Sequence, residues 1–293
     1  MPRLKFRRFA AIGAVSLAVC LALSAWIVVR ARDSGASRAV SSVLIQPRQA
    51  AAKAGRTPSL PVPGPLGACE ARIERQPHRL PTVAIVGASY TAGVGPGNPE
   101  LSWAVDLARQ LRWNAVIYGV PGAGYVRVGG SGRGPMSRML TAEGLPGLDP
   151  ALVIVQAGHD DLGVPPALEQ GRVGAAVDLI RAAAPDARVA LMTTFAAGSV
   201  TGSPALRRID HAIITAGTAA DPQAVIMDPL GGRWTFPRAS DGLHPTAAGD
   251  AWLARTAAAI LSAHGLHPAP VTSTAPVICD ASVGVGKPAS ATA

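Results

Sequence analysis

Short runs of β-branched and aliphatic residues alternate with segments of helical periodicity throughout residues 81–267, and this alternation is the strongest constraint on the fold. Five apolar runs predict strands, at residues 83–86, 115–118, 152–155, 189–192 and 225–227. Apolar residues recur at helical spacing over residues 101–111, 172–184, 203–217 and 247–263. Apolar strands that alternate with helices are typical of a parallel sheet covered by helices on both faces. The chain is therefore predicted to be an α/β protein.

The formal net charge is +9, but the basic excess is confined to the N-terminal part of the chain. Residues 1–80 carry 13 Lys and Arg against 3 Asp and Glu, whereas residues 81–293 carry 14 against 15. A nucleic-acid-binding protein needs a basic face on its folded part. Basic residues beside an apolar segment are instead typical of a membrane topology signal. We therefore expect no nucleic-acid partner.

Residues 1–30 have the features of a signal anchor or a signal peptide. Four basic residues precede an uncharged stretch of 21 residues, 9–29, and a helix of that length crosses a hydrocarbon core of about 30 Å. Apolar residues continue beyond the best cleavage position, which follows Ala25, and this favours an uncleaved anchor over a cleaved peptide. A buried helix of the folded domain is the third alternative. With either targeting signal the protein is exported, and it is membrane-anchored facing outward or secreted.

Two segments flank the predicted domain. Residues 31–80 contain many Pro and Arg residues and no apolar period, which predicts a linker, and residues 268–293 are predicted to form a C-terminal tail. Cys69 and Cys279 lie in these flanks. In an oxidising compartment they are candidates for a disulfide that joins the two ends of the domain. Two unrelated thiols, or bonds to other chains, remain open.

Three loops at strand ends carry residues suited to chemistry. Ser89 lies in a small-residue turn after the first strand, Gly122 follows the second strand, and His159, Asp160 and Asp161 follow the third. Ligands of parallel sheets bind at the carboxyl ends of strands, so these loops are expected to meet. Taken alone, the first two loops are also consistent with plain turns, and the third with a capped helix start.

A fourth segment, Asp241-Gly242-Leu243-His244-Pro245, precedes the last predicted helix. Asp241 and His244 are close enough in sequence to meet within one turn, and an Asp that holds Nδ1–H of a histidine leaves Nε2 free to take a proton from a serine. A single D-x-x-H pattern is common by chance, so its value depends on the other three loops.

Taken together, the four loops resemble those of the SGNH/GDSL hydrolase family over roughly residues 82–263. The matching segments are 87–90 for the G-D-S-L block, Gly122 for the oxyanion glycine, 158–161 for the G-x-N-D block, and Asp241 with His244 for the terminal D-x-x-H. The resemblance implies a flavodoxin-like three-layer α/β/α sandwich with a five-stranded parallel sheet over residues 81–267. It also implies a catalytic triad of Ser89, Asp241 and His244.

Two residues depart from the family pattern. Ala88 replaces the usual Asp before the serine, and Asp160 replaces the usual Asn. The family Asn donates an N–H to the oxyanion, together with the backbone N–H groups at Ser89 and Gly122, whereas an ionised Asp has no donor. Three alternatives remain open: a protonated Asp160 that donates an O–H, His159 as a substitute donor, or Ser89 and Gly122 alone.

We therefore expect a serine ester hydrolase that works through an acyl-enzyme. A short-chain carboxylesterase or acetylesterase acting on envelope glycan or lipid esters is the leading interpretation. The alternatives are an envelope binding protein with weak catalysis on an SGNH scaffold, which the Asp160 substitution favours, and an O-acyltransferase. No cysteine and histidine spacing suggests a metal site, no cofactor is expected, and we expect a monomer.

Overall fold

The computed structural model describes residues 65–141, 145, 148–198, 201–271 and 274–283. The predicted targeting segment, residues 1–30, lies outside them. No helix of the described residues has the length and apolar character needed to cross a bilayer. The helices are α1 (Pro65–Glu74), α2 (Trp103–Leu111), α3 (Met136–Met139), α4 (Pro166–Ala183), α5 (Pro204–Ala220) and α6 (Ala247–Ala263). The strands are β1 (Thr82–Gly87), β2 (Asn114–Gly119), β3 (Leu152–Gln156), β4 (Arg188–Met192), β5 (Val225–Met227) and β6 (Ile278–Asp280).

All six strands form one parallel sheet in the order β5-β4-β3-β1-β2-β6. Gly87 at the end of β1 pairs with Gly119 of β2 on one side and with Gln156 of β3 on the other. The three loops that follow these strands therefore start at the same level of the same sheet edge. The chain runs outward from β1 in both directions, which makes this edge the topological switch point where α/β proteins bind ligands.

The sheet separates two apolar cores. On one face, α2 and α6 pack through Trp103, Leu107 and Leu253, and on the other face α4 and α5 pack through Val177 and Ile213. The strands between them are buried along nearly their whole length, as the continuous apolar runs predict. The predicted three-layer α/β/α sandwich is confirmed.

Side-chain caps fix where three of these helices begin. The hydroxyl of Ser102 accepts from Val105 N at the start of α2, that of Ser203 accepts from Leu206 N at the start of α5, and that of Thr246 accepts from Gly249 N at the start of α6. Each bond satisfies an N–H that has no partner inside its helix. The cap at Thr246 lies two residues after His244 and fixes the start of α6 at Ala247.

The sheet has six strands, where the sequence predicts five. The additional strand, β6, lies in the segment predicted to be a tail and pairs with the edge of β2. Its sequence, Ile-Cys-Asp, forms no apolar run, whereas the equally short β5 is Val-Ile-Met. The helix to which β6 is joined by a disulfide, α1, lies in the segment predicted to be a linker. Cys69 of α1 is joined to Cys279 of β6, and Ile73 is fully buried between these elements.

Candidate active site

The turn after β1 presents Ser89 at the sheet edge. Gly87 is required there because a Cβ would overlap the hydroxyl of Thr91 and approach the Gln156 carbonyl. The N–H of Ala88 donates to the Gln156 backbone carbonyl at 3.1 Å and to its side-chain Oε1 at 3.2 Å. Because these bonds join the turn to β3, Ser89 is held at a defined height above the strand ends.

His244 and Asp241 complete a hydrogen-bonded chain with Ser89. His244 Nε2 lies 2.9 Å from Ser89 Oγ, and His244 Nδ1 lies 2.7 Å from Asp241 Oδ2. The other carboxylate oxygen, Oδ1, accepts from the backbone N–H of Leu243 at 2.8 Å and of His244 at 2.9 Å. The hydrogen bond from His244 is the main reason that the pKa of Asp241 is held below its usual value, with the two backbone bonds also contributing. The arrangement matches the orientation that a serine nucleophile and its base require.

The loop that carries this histidine is attached to the serine turn. Tyr90 Oη donates to the Leu243 carbonyl at 2.6 Å, and its ring lies 5.6 Å from the His244 ring, centroid to centroid. The same ring stacks on Phe195 at 4.2 Å. Tyr90 therefore connects the serine turn to the residue before His244, and its ring is held in place by Phe195. Its role is not evident from the sequence, where an aromatic residue beside the serine gives no sign of a partner 153 residues away.

The loop after β2 brings Gly122 to the same place. Gly122 has a φ of +78°, a conformation that favours glycine. Among the described residues, neither the backbone N–H of Ser89 nor that of Gly122 donates a hydrogen bond to another group. Both residues line one cleft with His244. Two free N–H donors beside a serine hydroxyl are the arrangement that stabilises an oxyanion.

The loop after β3 contributes His159 and Asp160 to the cleft. Burial raises the pKa of Asp160 to about 6, and the nearby carboxylate of Asp161 adds to this rise, while His244 opposes it. Burial also lowers the pKa of His159, and the charge of a protonated His244 acts in the same direction. The site therefore favours an uncharged imidazole at 159 and, in mildly acidic solution, a protonated carboxyl at 160.

The cleft is small, with a volume of about 170 Å³. Val94, Pro121 and Leu243 form its apolar lining, and the polar groups described above lie around Ser89. No group of three or more His, Cys, Asp or Glu in the described part of the chain is placed to hold a metal ion. The polar side chains that line the cleft include those of Ser89, Gln156, His159, Asp160 and His244, together with the backbone N–H groups of Ser89 and Gly122.

The chain matches the model of the GDSL-like Lipase/Acylhydrolase family over residues 85–252, which is more than half of its length. It therefore belongs to this family, as the resemblance of the four loops implies. It is also 29% identical over 198 residues to GDSL lipase Rv0518 of Mycobacterium tuberculosis (strain ATCC 25618 / H37Rv), across 63% of this chain and 83% of that protein. The chain is accordingly a carboxylic ester hydrolase.

Solved structures show the same fold at low sequence identity. A carbohydrate esterase family 2 enzyme from Corynascus thermopiles (Myceliophthora fergusii) superposes with a TM-score of 0.54 at 20% identity, over 65% of this chain and 68% of that one. The salicylyl-acyltransferase SsfX3 from a tetracycline biosynthetic pathway superposes with a TM-score of 0.51 at 15% identity, over 66% of this chain and 57% of that one. These likenesses concern the fold and leave the substrate to be argued from the cleft.

Proposed function

We propose that the protein is a serine esterase in which Ser89 is the nucleophile, His244 the general base and acid, and Asp241 the residue that orients the imidazole. The proposal is supported chiefly by the hydrogen-bonded chain from Ser89 Oγ through His244 to Asp241. In that chain Nδ1–H is committed to the carboxylate, so that the neutral imidazole has Nε2 available to accept a proton.

In the first half of the reaction His244 Nε2 takes the hydroxyl proton while Ser89 Oγ attacks the ester carbonyl carbon. The tetrahedral intermediate collapses, the alcohol leaves with the proton returned by His244, and an acyl-enzyme remains on Ser89. In the second half His244 takes a proton from water, the resulting hydroxide attacks the acyl carbon, and the carboxylic acid is released as Ser89 regains its proton.

The free N–H groups of Ser89 and Gly122 supply two donors to the oxyanion. Asp160 supplies a third when its carboxyl is protonated, which the raised pKa of about 6 favours in mildly acidic solution. In neutral solution the carboxylate is ionised, donates nothing and repels the developing negative charge. The protein is therefore a working esterase whose oxyanion site is weakened as the pH rises.

The small cleft favours short acyl groups. A volume of about 170 Å³ with Val94, Pro121 and Leu243 as its apolar lining accommodates an acetyl or butyryl chain, whereas a long acyl chain would have to extend into solvent. We propose acetyl or butyryl esters of cell-envelope glycans or lipids as the natural substrates. The predicted export signal at residues 1–30 supports an envelope location, and the Cys69–Cys279 disulfide is of a kind that persists in oxidising compartments.

The experiment is an ester panel with the purified full-length chain. The rate of p-nitrophenyl acetate and butyrate hydrolysis should exceed that of the octanoate, and Ser89→Ala should abolish all three. Ser262→Ala, which removes a hydroxyl that does not line the cleft, should retain full activity. Turnover by the Ser89→Ala variant would remove Ser89 from the role of nucleophile.

Glycan binding by a wild-type chain that hydrolyses none of the esters would favour the binding protein. Ester products formed when an acceptor alcohol or sugar is supplied would indicate an acyltransferase.

A further inference from the structure

Asp161 holds the backbone of the loop that contains Gly122. Its side chain is completely buried, and its carboxylate accepts from three consecutive backbone N–H groups: Tyr125 at 2.6 Å, Val126 at 3.2 Å and Arg127 at 2.9 Å. The loop approaches so closely that a Cβ on Gly124 would overlap the carboxylate. The position of the loop therefore depends on Asp161.

A second buried carboxyl lies against the first. Glu169, in the first turn of α4, is completely buried, and neither of its oxygens accepts a hydrogen bond from a donor group in the described part of the chain. The side chain that acts most strongly on its ionisation is the neighbouring carboxyl of Asp161. Two ionised carboxylates do not lie together in a dry interior, so one of them must keep its proton. Asp161 has the three N–H donors that stabilise a negative charge, and Glu169 has none.

The proton accordingly belongs to Glu169. Burial raises the pKa of Glu169 to about 9, with the charge of Asp161 as the second cause. The phenol of Tyr125, which also lies near this pair and is buried without a hydrogen-bond partner in the described structure, is kept neutral by burial and by both carboxyls, which raise its pKa. The cluster therefore contains one negative charge, on Asp161, beside a neutral carboxyl at Glu169 and a neutral phenol at Tyr125.

We propose that Glu169 is a positioning residue of the oxyanion site: its protonated carboxyl donates a hydrogen bond to the carboxylate of Asp161, and so orients the group that holds residues 125–127 and thereby the turn that contains Gly122. This inference rests on the proposed function, since it assigns Gly122 a part in catalysis. Two backbone hydrogen bonds connect residues 125–127 to the turn that contains Gly122. Gly124 N donates to the Arg127 carbonyl at 2.9 Å, and Ala123 N donates to the Val120 carbonyl at 3.0 Å.

The test compares Glu169→Leu with Glu169→Gln in the full-length chain. Leucine removes the donor and the ionisable group, whereas glutamine keeps a neutral donor of the same shape. Amide hydrogen exchange of residues 123–127 measures the position of the loop without reference to catalysis, and kcat and KM for p-nitrophenyl acetate measure the consequence. Glu100→Leu and Glu100→Gln, at an exposed glutamate on the surface, are the matched controls.

In Glu169→Leu the loop amides should exchange faster and kcat should fall by about tenfold or more, as expected when a hydrogen bond to a charged group is lost. KM should change little, because the oxyanion donors act on the transition state. Glu169→Gln should restore both quantities. Above pH 9 the kcat/KM of the wild type should fall, because Glu169 loses its proton and two carboxylates, Glu169 and Asp161, then lie side by side. The kcat/KM of Glu169→Gln should not fall in this way, because glutamine does not ionise.

Unchanged exchange in Glu169→Leu would overturn the inference, and so would faster exchange with an unchanged kcat. If the leucine variant does not fold, an alkaline loss of activity that is identical in wild type and Glu169→Gln would overturn it equally. Failure of the proposed function is distinguishable from these results. It would appear as full esterase activity in Ser89→Ala, whatever the amide hydrogen exchange of residues 123–127 shows.

Discussion

The hydroxyl of Ser89 and the Nε2 atom of His244 lie 2.9 Å apart although 155 residues separate them in the chain. Two independent features bring them together. Ser89 is placed by the end of the central strand β1, and His244 is placed by the start of α6 and by the bond from Tyr90 to the Leu243 carbonyl. The hydrogen bond between Ser89 and His244 therefore depends on the packing of β1, α6 and the Tyr90 side chain at this edge of the sheet.

Asp241→Asn should lower kcat by about 10²- to 10⁴-fold, because an amide no longer holds Nδ1–H of His244 and no longer stabilises the imidazolium. The remaining amide oxygen still accepts the backbone N–H groups that Oδ1 accepts now, so the loop should stay folded. Asp228→Asn is the matched control, since Asp228 makes a similar bond to Gly231 N at 2.7 Å and should retain activity. Steady-state kinetics measure the difference, and equal activity of the two variants would contradict the role of Asp241.

Asp160→Asn should make activity less dependent on pH. In the wild type the third oxyanion donor is present while Asp160 is protonated and is lost as the pH rises through about 6, whereas an asparagine donates at every pH. The ratio of kcat/KM, variant over wild type, should be near one at pH 5 and about tenfold or more at pH 8. Because the triad is the same in both proteins, the ratio isolates the effect of residue 160. A large drop of the variant at every pH would show that the carboxylate itself is required.

Tyr90→Phe should lower both stability and activity by a modest amount. The variant keeps the stacking on Phe195 but leaves the Leu243 carbonyl without its donor, a loss of about 1 kcal/mol of unfolding free energy. The loop between Asp241 and His244 should then be less ordered, and kcat should fall severalfold with little change in KM. Denaturant unfolding and kinetics are the measurements, and unchanged values of both would show that this bond does not position the histidine.

Removal of the disulfide should destabilise the domain. The Cys69–Cys279 bond closes a loop between residues 210 positions apart, and bonds of this kind contribute about 2–5 kcal/mol, chiefly by restricting the unfolded chain. The double variant Cys69→Ser/Cys279→Ser should unfold at a lower temperature than the oxidised wild type. Dithiothreitol should lower the melting temperature of the wild type to that of the variant and leave the variant unchanged. Equal melting temperatures without reductant would contradict the expected contribution.

Most of the sheet could be predicted from the sequence because its strands are buried on both faces. The five predicted runs correspond to β1 through β5 within one residue at each end. The sixth strand has three residues at the sheet edge and a single neighbour. β5 is as short and also lies at an edge, but its three residues are all apolar, whereas the Ile-Cys-Asp of β6 does not differ from a loop in composition. The place of β6 depends on pairing with β2 and on the disulfide to α1, which are tertiary contacts.

The loops around Ser89, Gly122 and Asp160 could be placed together from their order along the chain, since the ends of neighbouring parallel strands meet, and the resemblance to the family added Asp241 and His244 to them. The residues that hold these loops in position could not be predicted from the sequence. Tyr90 and Glu169 act through partners that are distant or that lie on another element. Glu169 in particular has the sequence context of an ordinary acidic residue in the first turn of a helix, and only its complete burial beside Asp161 distinguishes it.

Mass spectrometry of the fluorophosphonate-treated protein tests the central claim most directly. The account predicts one covalent adduct, on the peptide that contains Ser89, formed by the wild type at a rate that falls sharply in His244→Ala and absent in Ser89→Ala. An adduct on another residue, or continued ester hydrolysis by a protein in which Ser89 is fully modified, would contradict it.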